Sequence, residues 1–128
     1  MSQTYRDLKV WQKAMGLVAR VYEISKSWPS DERFGLISQV RRAAVSIPSN
    51  IAEGNGRLTP GEGIQCLSVA LGSLFELETQ LILAGNLKFT AADLLAEELE
   101  KAAEIGRMLR GLIDARARAK SAPKRHDV

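Results

Sequence analysis

Apolar residues recur along this chain at the three- and four-residue spacing of an amphipathic helix. Between residues 8 and 24 two such seams run side by side. Leu8, Trp11, Met15, Val18 and Tyr22 form one, and Val10, Ala14, Leu17, Val21 and Ile24 the other. One seam suffices for a two-helix contact. Two adjacent seams make the wide stripe expected of a helix that is buried in a bundle and also lines a subunit interface. Trp28-Pro29 ends this segment, and Ser30 reads as the N-cap of the next helix, with Asp31 and Glu32 in its first turn. That helix carries Leu36, Val40, Ala43 and Ile47, meets Pro48, which should kink rather than end it, and stops at Gly54-Asn55-Gly56.

Thr59-Pro60-Gly61-Glu62 announces a third helix by combining an N-cap, a proline at the first helical position and a capping-box acid. Its seam is Ile64, Leu67, Leu71, Leu74 and Leu81, ending near Gly85-Asn86. Thr90-Ala91-Ala92-Asp93 opens a fourth, with Leu95, Leu99, Ala102, Leu109 and Ile113 as its seam. From about Arg116 the apolar pattern fades into a frayed, basic end. No stretch alternates with the two-residue period of a strand. Short connections between long helices favour antiparallel neighbours. The expectation is an all-α fold, an antiparallel up-down-up-down four-helix bundle over residues 1–119, followed by a basic, disordered tail at 120–128.

Composition fits this reading. At 128 residues, 45% hydrophobic and 26% charged, the chain has the size and polarity of one globular domain. With aromatics at 5%, the core must be built from Leu, Ile, Val and Ala. The single cysteine, Cys66, forbids an internal disulfide. No apolar run approaches a membrane span and the N-terminus lacks a signal pattern, so the expected location is the cytoplasm. The net charge of +3 is unevenly spread, with residues 1–60 and 105–128 basic and 61–104 acidic. That asymmetry suits either a polyanion-binding face or neighbouring helices of complementary charge.

Catalytic chemistry finds little to work with. The one histidine, His126, lies in the tail, far in sequence from Cys66. A Cys–His dyad, a zinc site and a Glu-x-x-His di-iron site all lack their residues, so no catalytic, cofactor or metal residues are expected. Gly54-Asn55-Gly56 has neither the preceding strand nor the Lys-Ser/Thr of a phosphate loop.

The second helix is more informative. Ser38, Gln39, Arg42, Ser46, Ser49, Asn50 and Glu53 fall within an arc of roughly 120° on a helical wheel. Ser and Asn weaken a helix interior, so four of them on one face suggest a compensating role. The candidate binding or assembly face comprises Gln39, Arg41, Arg42, Ser46, Asn50, Glu53 and Arg57. Three roles are open for it: a buried network including an Arg42–Glu53 pair, a subunit interface or ring lining, and a phosphate or acidic-partner contact. Glu76 and Glu78 of the third helix are candidate ion-pair partners. Glu78 continues the seam of Ile64, Leu67, Leu71 and Leu74, so it should point inward and pair with Arg41 or Arg42.

The run from Gln39 through Arg41-Arg42-Ala43-Ala44-Val45-Ser46-Ile47-Pro48-Ser49-Asn50-Ile51-Ala52-Glu53-Gly54 strongly resembles the signature of the four-helix-bundle proteins encoded in intervening sequences of bacterial 23S rRNA genes. Leu8-Lys9-Val10-Trp11, Trp28-Pro29, the Ala70–Glu78 stretch and Met108-Leu109-Arg110-Gly111-Leu112-Ile113 resemble further parts of that family, so the likeness spans most of the chain. The chain departs from it at Gly63 and Cys66, where the family often has aromatics, and in its longer basic end. The resemblance implies an up-down bundle assembled as a ring-like homopentamer, without an established catalytic activity. A more distant similarity links it to accessory proteins of diversity-generating retroelements, which bind nucleic acid. Two functions follow as expectations: a non-enzymatic oligomer that binds RNA or DNA through basic surfaces, or a protein–protein interaction scaffold with no nucleic-acid role.

Overall fold

The computed structural model describes residues 4–57 and 59–121. Four helices account for nearly all of them: α1 (Lys9–Ser25), α2 (Leu36–Gly56), α3 (Pro60–Asn86) and α4 (Ala92–Ser121), with single 3-10 turns at Tyr5–Asp7 and Ser30–Glu32. Each helix packs on its sequence neighbours, α4 closes back on α1, and the diagonal pairs do not meet. At one end the Trp28 indole, in the α1–α2 connection, donates to the Thr90 hydroxyl ahead of α4 (2.7 Å) and packs on Phe89. At the other end the close of α2 meets the start of α3 and the far part of α4. The fold is the expected up-down-up-down four-helix bundle, with no strand among the described residues.

Local chemistry sets the helix boundaries. Thr59 caps α3, its hydroxyl accepting from the Glu62 N–H at 3.2 Å with Pro60 in the first turn, as expected. Ser30 corrects the reading. It opens only a 3-10 turn, and α2 begins six residues later, where the Glu32 carboxylate reaches forward to accept from the Leu36 N–H at 3.1 Å. The acid of that turn, rather than its serine, satisfies an orphan donor of the helix. Pro48 does not end α2. Its ring removes the N–H that would reach the Ala44 carbonyl, and side-chain donors bond the next two carbonyls of that turn. Ser49 Oγ donates to the Val45 carbonyl (2.8 Å) and Asn50 Nδ2 to that of Ser46 (2.9 Å). At the end of α3, Lys88 takes the left-handed conformation (φ 64°), so that the Phe89 N–H can bond the Ala84 carbonyl at 2.8 Å.

The core is aliphatic. Of the two α1 seams, Val10, Ala14, Leu17, Val21 and Ile24 are buried, while Met15 and Tyr22 of the other remain exposed. In α3 the buried line is Gly63, Leu67, Ala70, Leu74, Leu77, Leu81 and Ala84. Although packed between α2 and α4, this helix has an 18-residue window of mean hydropathy 1.4 and is long and apolar enough, by length and composition, to cross a membrane. The expectation that no apolar run approaches a span is corrected on this point: the outward face of α3 is apolar too, with Val69, Phe75, Ile82, Leu83 and Leu87 exposed around or just beyond it. Nor does the chain fray from Arg116, since α4 runs on to Ser121. His126 and the rest of the expected tail lie outside the described residues.

Candidate functional site

The polar face of α2 does not form one site. Its members divide by what they touch. Ser46 faces α3, where its hydroxyl lies 2.8 Å from that of Ser73, and the Asn50 amide donates to the same Ser46 oxygen at 3.1 Å. This is a small inter-helix network of short side chains, and it accounts for Ser46 and Asn50 as packing and register groups. Arg41 turns toward α1. Its Nε donates to Ser25 Oγ (2.9 Å) and its Nη2 to the Tyr22 carbonyl (3.3 Å), with the guanidinium over the Tyr22 ring. A cation there caps the negative end of α1. Glu53 pairs with Arg57 one turn on, so the expected Arg42–Glu53 pair does not form: on a helix, partners four apart meet and those eleven apart do not. The Cys66 thiol and the Glu53 carboxylate beside it hold the Arg57 guanidinium above its ordinary value. Gln39 and Arg42 stand exposed, with no side-chain hydrogen bond or ion pair among the described residues.

The expected partnership of Glu78 with Arg41 or Arg42 is also absent. Glu78 lies half-buried on the α3–α4 flank, opposite the side that faces α2, and lines a groove with Arg107 and Arg110. Burial pushes its carboxyl up from the usual range. A carboxyl with a raised folded-state pKa weakens the fold while ionised, a penalty relieved as pH falls through that value. Glu78→Gln should therefore stabilise the protein at neutral pH. Urea denaturation should show the difference from the parent chain shrinking as the pH is taken below the carboxylate range. Glu76 accepts from the Gln80 amide at 3.3 Å and has no cationic partner among the described residues.

Two polar side chains that the sequence reading passed over occupy the interior face of α4. Glu98 is 0% exposed. One of its carboxylate oxygens lies 3.4 Å from both Arg20 Nε and Lys101 Nζ, and the other has no partner among the described residues. Lys13, Arg20 and Lys101 surround a groove of about 340 Å³ between α1 and α4, with Leu17 and Ile105 at its base. Lys13 also pairs with Glu104 at 2.8 Å and holds that carboxyl below its usual range. A buried carboxylate with one unpartnered oxygen costs desolvation that two long contacts from half-exposed cations do not recover. Glu98→Leu should leave thermal stability unchanged or raise it by about 1 kcal/mol, because Arg20 and Lys101 can turn to water. A loss of more than about 1 kcal/mol in a denaturation curve would show that the pair stabilises the fold.

Arg116, the second of these, reaches from α4 to the end of α2, donating to the Gly54 carbonyl (3.2 Å) and Asn55 Oδ1 (3.1 Å). Gly63 sits where α2 and α3 approach closely. A methyl group on it would sit 3.0 Å from the Gly54 carbonyl oxygen. No three His, Cys, Asp or Glu side chains converge as a metal site would require among the described residues.

A closed antiparallel four-helix bundle, with most of its polar signature committed to caps and helix contacts, defines the class. The model of the 23S rRNA-intervening sequence protein family matches residues 6–111, and the chain belongs to that family, whose function is not established. The fold is shared with a protein of unknown function from the S23 ribosomal protein family of Bacteroides thetaiotaomicron. That solved structure has a TM-score of 0.74 and 22% identity, and the match covers 81% of this chain and 97% of the other. No curated protein matches the chain.

Proposed function

We propose that this chain is a non-enzymatic bundle that assembles into a ring-like homopentamer and binds nucleic acid through the basic surfaces of the ring. The observation that carries the assembly is a pair of dissimilar apolar patches on one subunit. The α1–α2 flank exposes Met15, Tyr22, Phe34 and Val45, Phe34 at 88%. The outward face of α3 exposes Val69 and Leu83, with Leu87 just past its end. Two unlike patches that fit each other make a heterologous contact, and such a contact closes into a ring when its rotation allows. Exposed apolar patches of this kind on a small domain mark interaction surfaces.

The nucleic-acid part rests on arginines left over once the internal fittings are assigned. Arg42, Arg107 and Arg110 make no hydrogen bond or ion pair among the described residues. Repeated around a ring, they would give a field able to hold phosphates. With Cys66 a free thiol, the proposed setting is the cytoplasm. A salt titration of binding to mixed RNA and DNA tests the reading. Binding at low salt that weakens steadily as salt rises is the expected result. Affinity that is absent at low salt, or indifferent to salt, would overturn it and favour the second reading, a protein–protein scaffold docking through the apolar face of α3.

A further inference from the structure

We infer that the groove between α3 and α4 is a nucleobase subsite selective for guanine, in which Phe75 stacks the base, Glu78 reads its edge, and Arg107 and Arg110 hold the adjoining phosphates. This inference rests on the nucleic-acid reading above and deepens it.

Three kinds of group meet in this groove of about 300 Å³. Its base is apolar and shallow. Leu74 and Ala102 contribute to it, and α3 and α4 approach so closely that a methyl on Gly106 would lie 3.1 Å from Leu74 Cδ2. One wall carries Phe75, which is 48% exposed on the single bundle and packs in no aromatic pair among the described residues. A phenyl ring beside a narrow apolar floor suits a flat partner, and single-stranded nucleic acid offers one at every residue. The wide spacing of aromatics along the sequence hid this, because the stacking ring and the cations come from different helices.

The charges give the partner its orientation. Arg107 and Arg110 lie one turn apart on α4 and line the groove with no ion pair within 4.0 Å among the described residues, Arg107 feeling only the more distant charge of Glu104, so both can turn to an anion. Glu78, one turn after Phe75, lines the same groove and also has no hydrogen-bond partner among the described residues. An apolar ligand would leave its carboxylate unsatisfied, and a simple anion would be repelled by it. A nucleotide meets both demands. Guanine is the one common base whose Watson–Crick edge presents two adjacent donors, N1–H and the N2 amino group, matching the two oxygens of a carboxylate. Cytosine and adenine set an acceptor beside their amino donor, and uracil flanks its single N–H with two carbonyls.

Fluorescence anisotropy with two labelled single-stranded RNAs of equal length, one alternating G and U and the other alternating A and U, tests this on the full chain. The G-containing strand is expected to bind about tenfold more tightly, and Glu78→Gln should abolish that preference while the A/U strand binds no more weakly than it does to the parent. Phe75→Leu, which keeps an apolar side chain at an exposed position, should weaken both strands. Arg107→Ala with Arg110→Ala should lower the salt slope by about 1.4, two phosphates at roughly 0.7 each. Because Glu78→Gln is expected to fold at least as stably as the parent, lost preference would not report unfolding. If both strands bind equally and neither Phe75→Leu nor Glu78→Gln has an effect, the groove is not the base site, although the chain still binds nucleic acid. If neither strand binds at low salt, the nucleic-acid reading falls and this inference with it.

Discussion

Gly54→Val is expected to destabilise the protein by about 3 kcal/mol, the upper end of the usual cost of overpacking a close contact. A β-carbon at Gly54 would already lie 3.1 Å from the Gly63 carbonyl oxygen and from Cys66 Cβ, and 3.4 Å from Leu67 Cγ. Two of these neighbours are fixed by the α3 backbone, and valine adds two methyl groups further out. The helices would have to separate at their crossing. That movement would also loosen the Arg116 bonds to Gly54 and Asn55, which tie the end of α4 to the end of α2. The gain in helix propensity over glycine, about 0.5 kcal/mol, does not offset this. Thermal denaturation at fixed protein concentration should show a midpoint lower by roughly 10 °C. Gly111→Ala is the matching control. A methyl there meets nothing within 4 Å, so the same kind of change should stabilise by about 0.5–1 kcal/mol. Equal effects at the two glycines would mean that the α2–α3 contact is looser than described.

Met15→Glu combined with Val45→Glu is expected to break the assembly and leave the bundle folded. Both side chains already face outward, at 46% and 41% exposure, so an isolated subunit loses little by the exchange. In an interface each carboxylate would be buried without a partner, at a cost large against the surplus that holds subunits together. Helical circular dichroism should persist while the mass by light scattering drops to one chain of 14.0 kDa. A double variant that keeps the parent mass would move the interface away from the α1–α2 flank.

These two predictions draw on parts of the chain that were unequally legible in its sequence. Helix number, order and most boundaries followed from spacing, caps and Gly-Pro punctuation. The second seam of α1 was legible as well, but it divides: Met15 and Tyr22 are exposed, while Leu8, Trp11 and Val18 pack partly buried against the core. The interior lines of α3 and α4 were harder to read, because they are regular in position and irregular in chemistry. In α4 the three-and-four spacing runs through Leu95, Glu98, Ala102, Ile105, Leu109, Leu112 and Arg116. Following only its apolar members led to Leu99 and Ile113, and passed over the glutamate and the arginine on the inner face. In α3 the small residues Gly63, Ala70 and Ala84 hold core positions through close helix approach, which a hydrophobicity count does not register.

The α2 signature shows the opposite failure. Its polar arc was legible as unusual, but the candidate residues on and beside it meet different neighbours. Ser46 meets Ser73 of α3, Arg41 meets the end of α1, and Ser49 and Asn50 bond carbonyls of their own helix around Pro48. A helical wheel shows one face and cannot show which neighbour each side chain meets. The α3–α4 groove escaped for a related reason, since Phe75 and Glu78 stand about thirty residues from Arg107 and Arg110.

In the proposed ring, the apolar surface left exposed on the single bundle is covered by further copies of the same chain. Light scattering coupled to size exclusion, run on the full chain across a dilution series, tests it most directly. The expected result is one species at five times the 14.0 kDa chain mass. A single peak at 14.0 kDa at every concentration would contradict it.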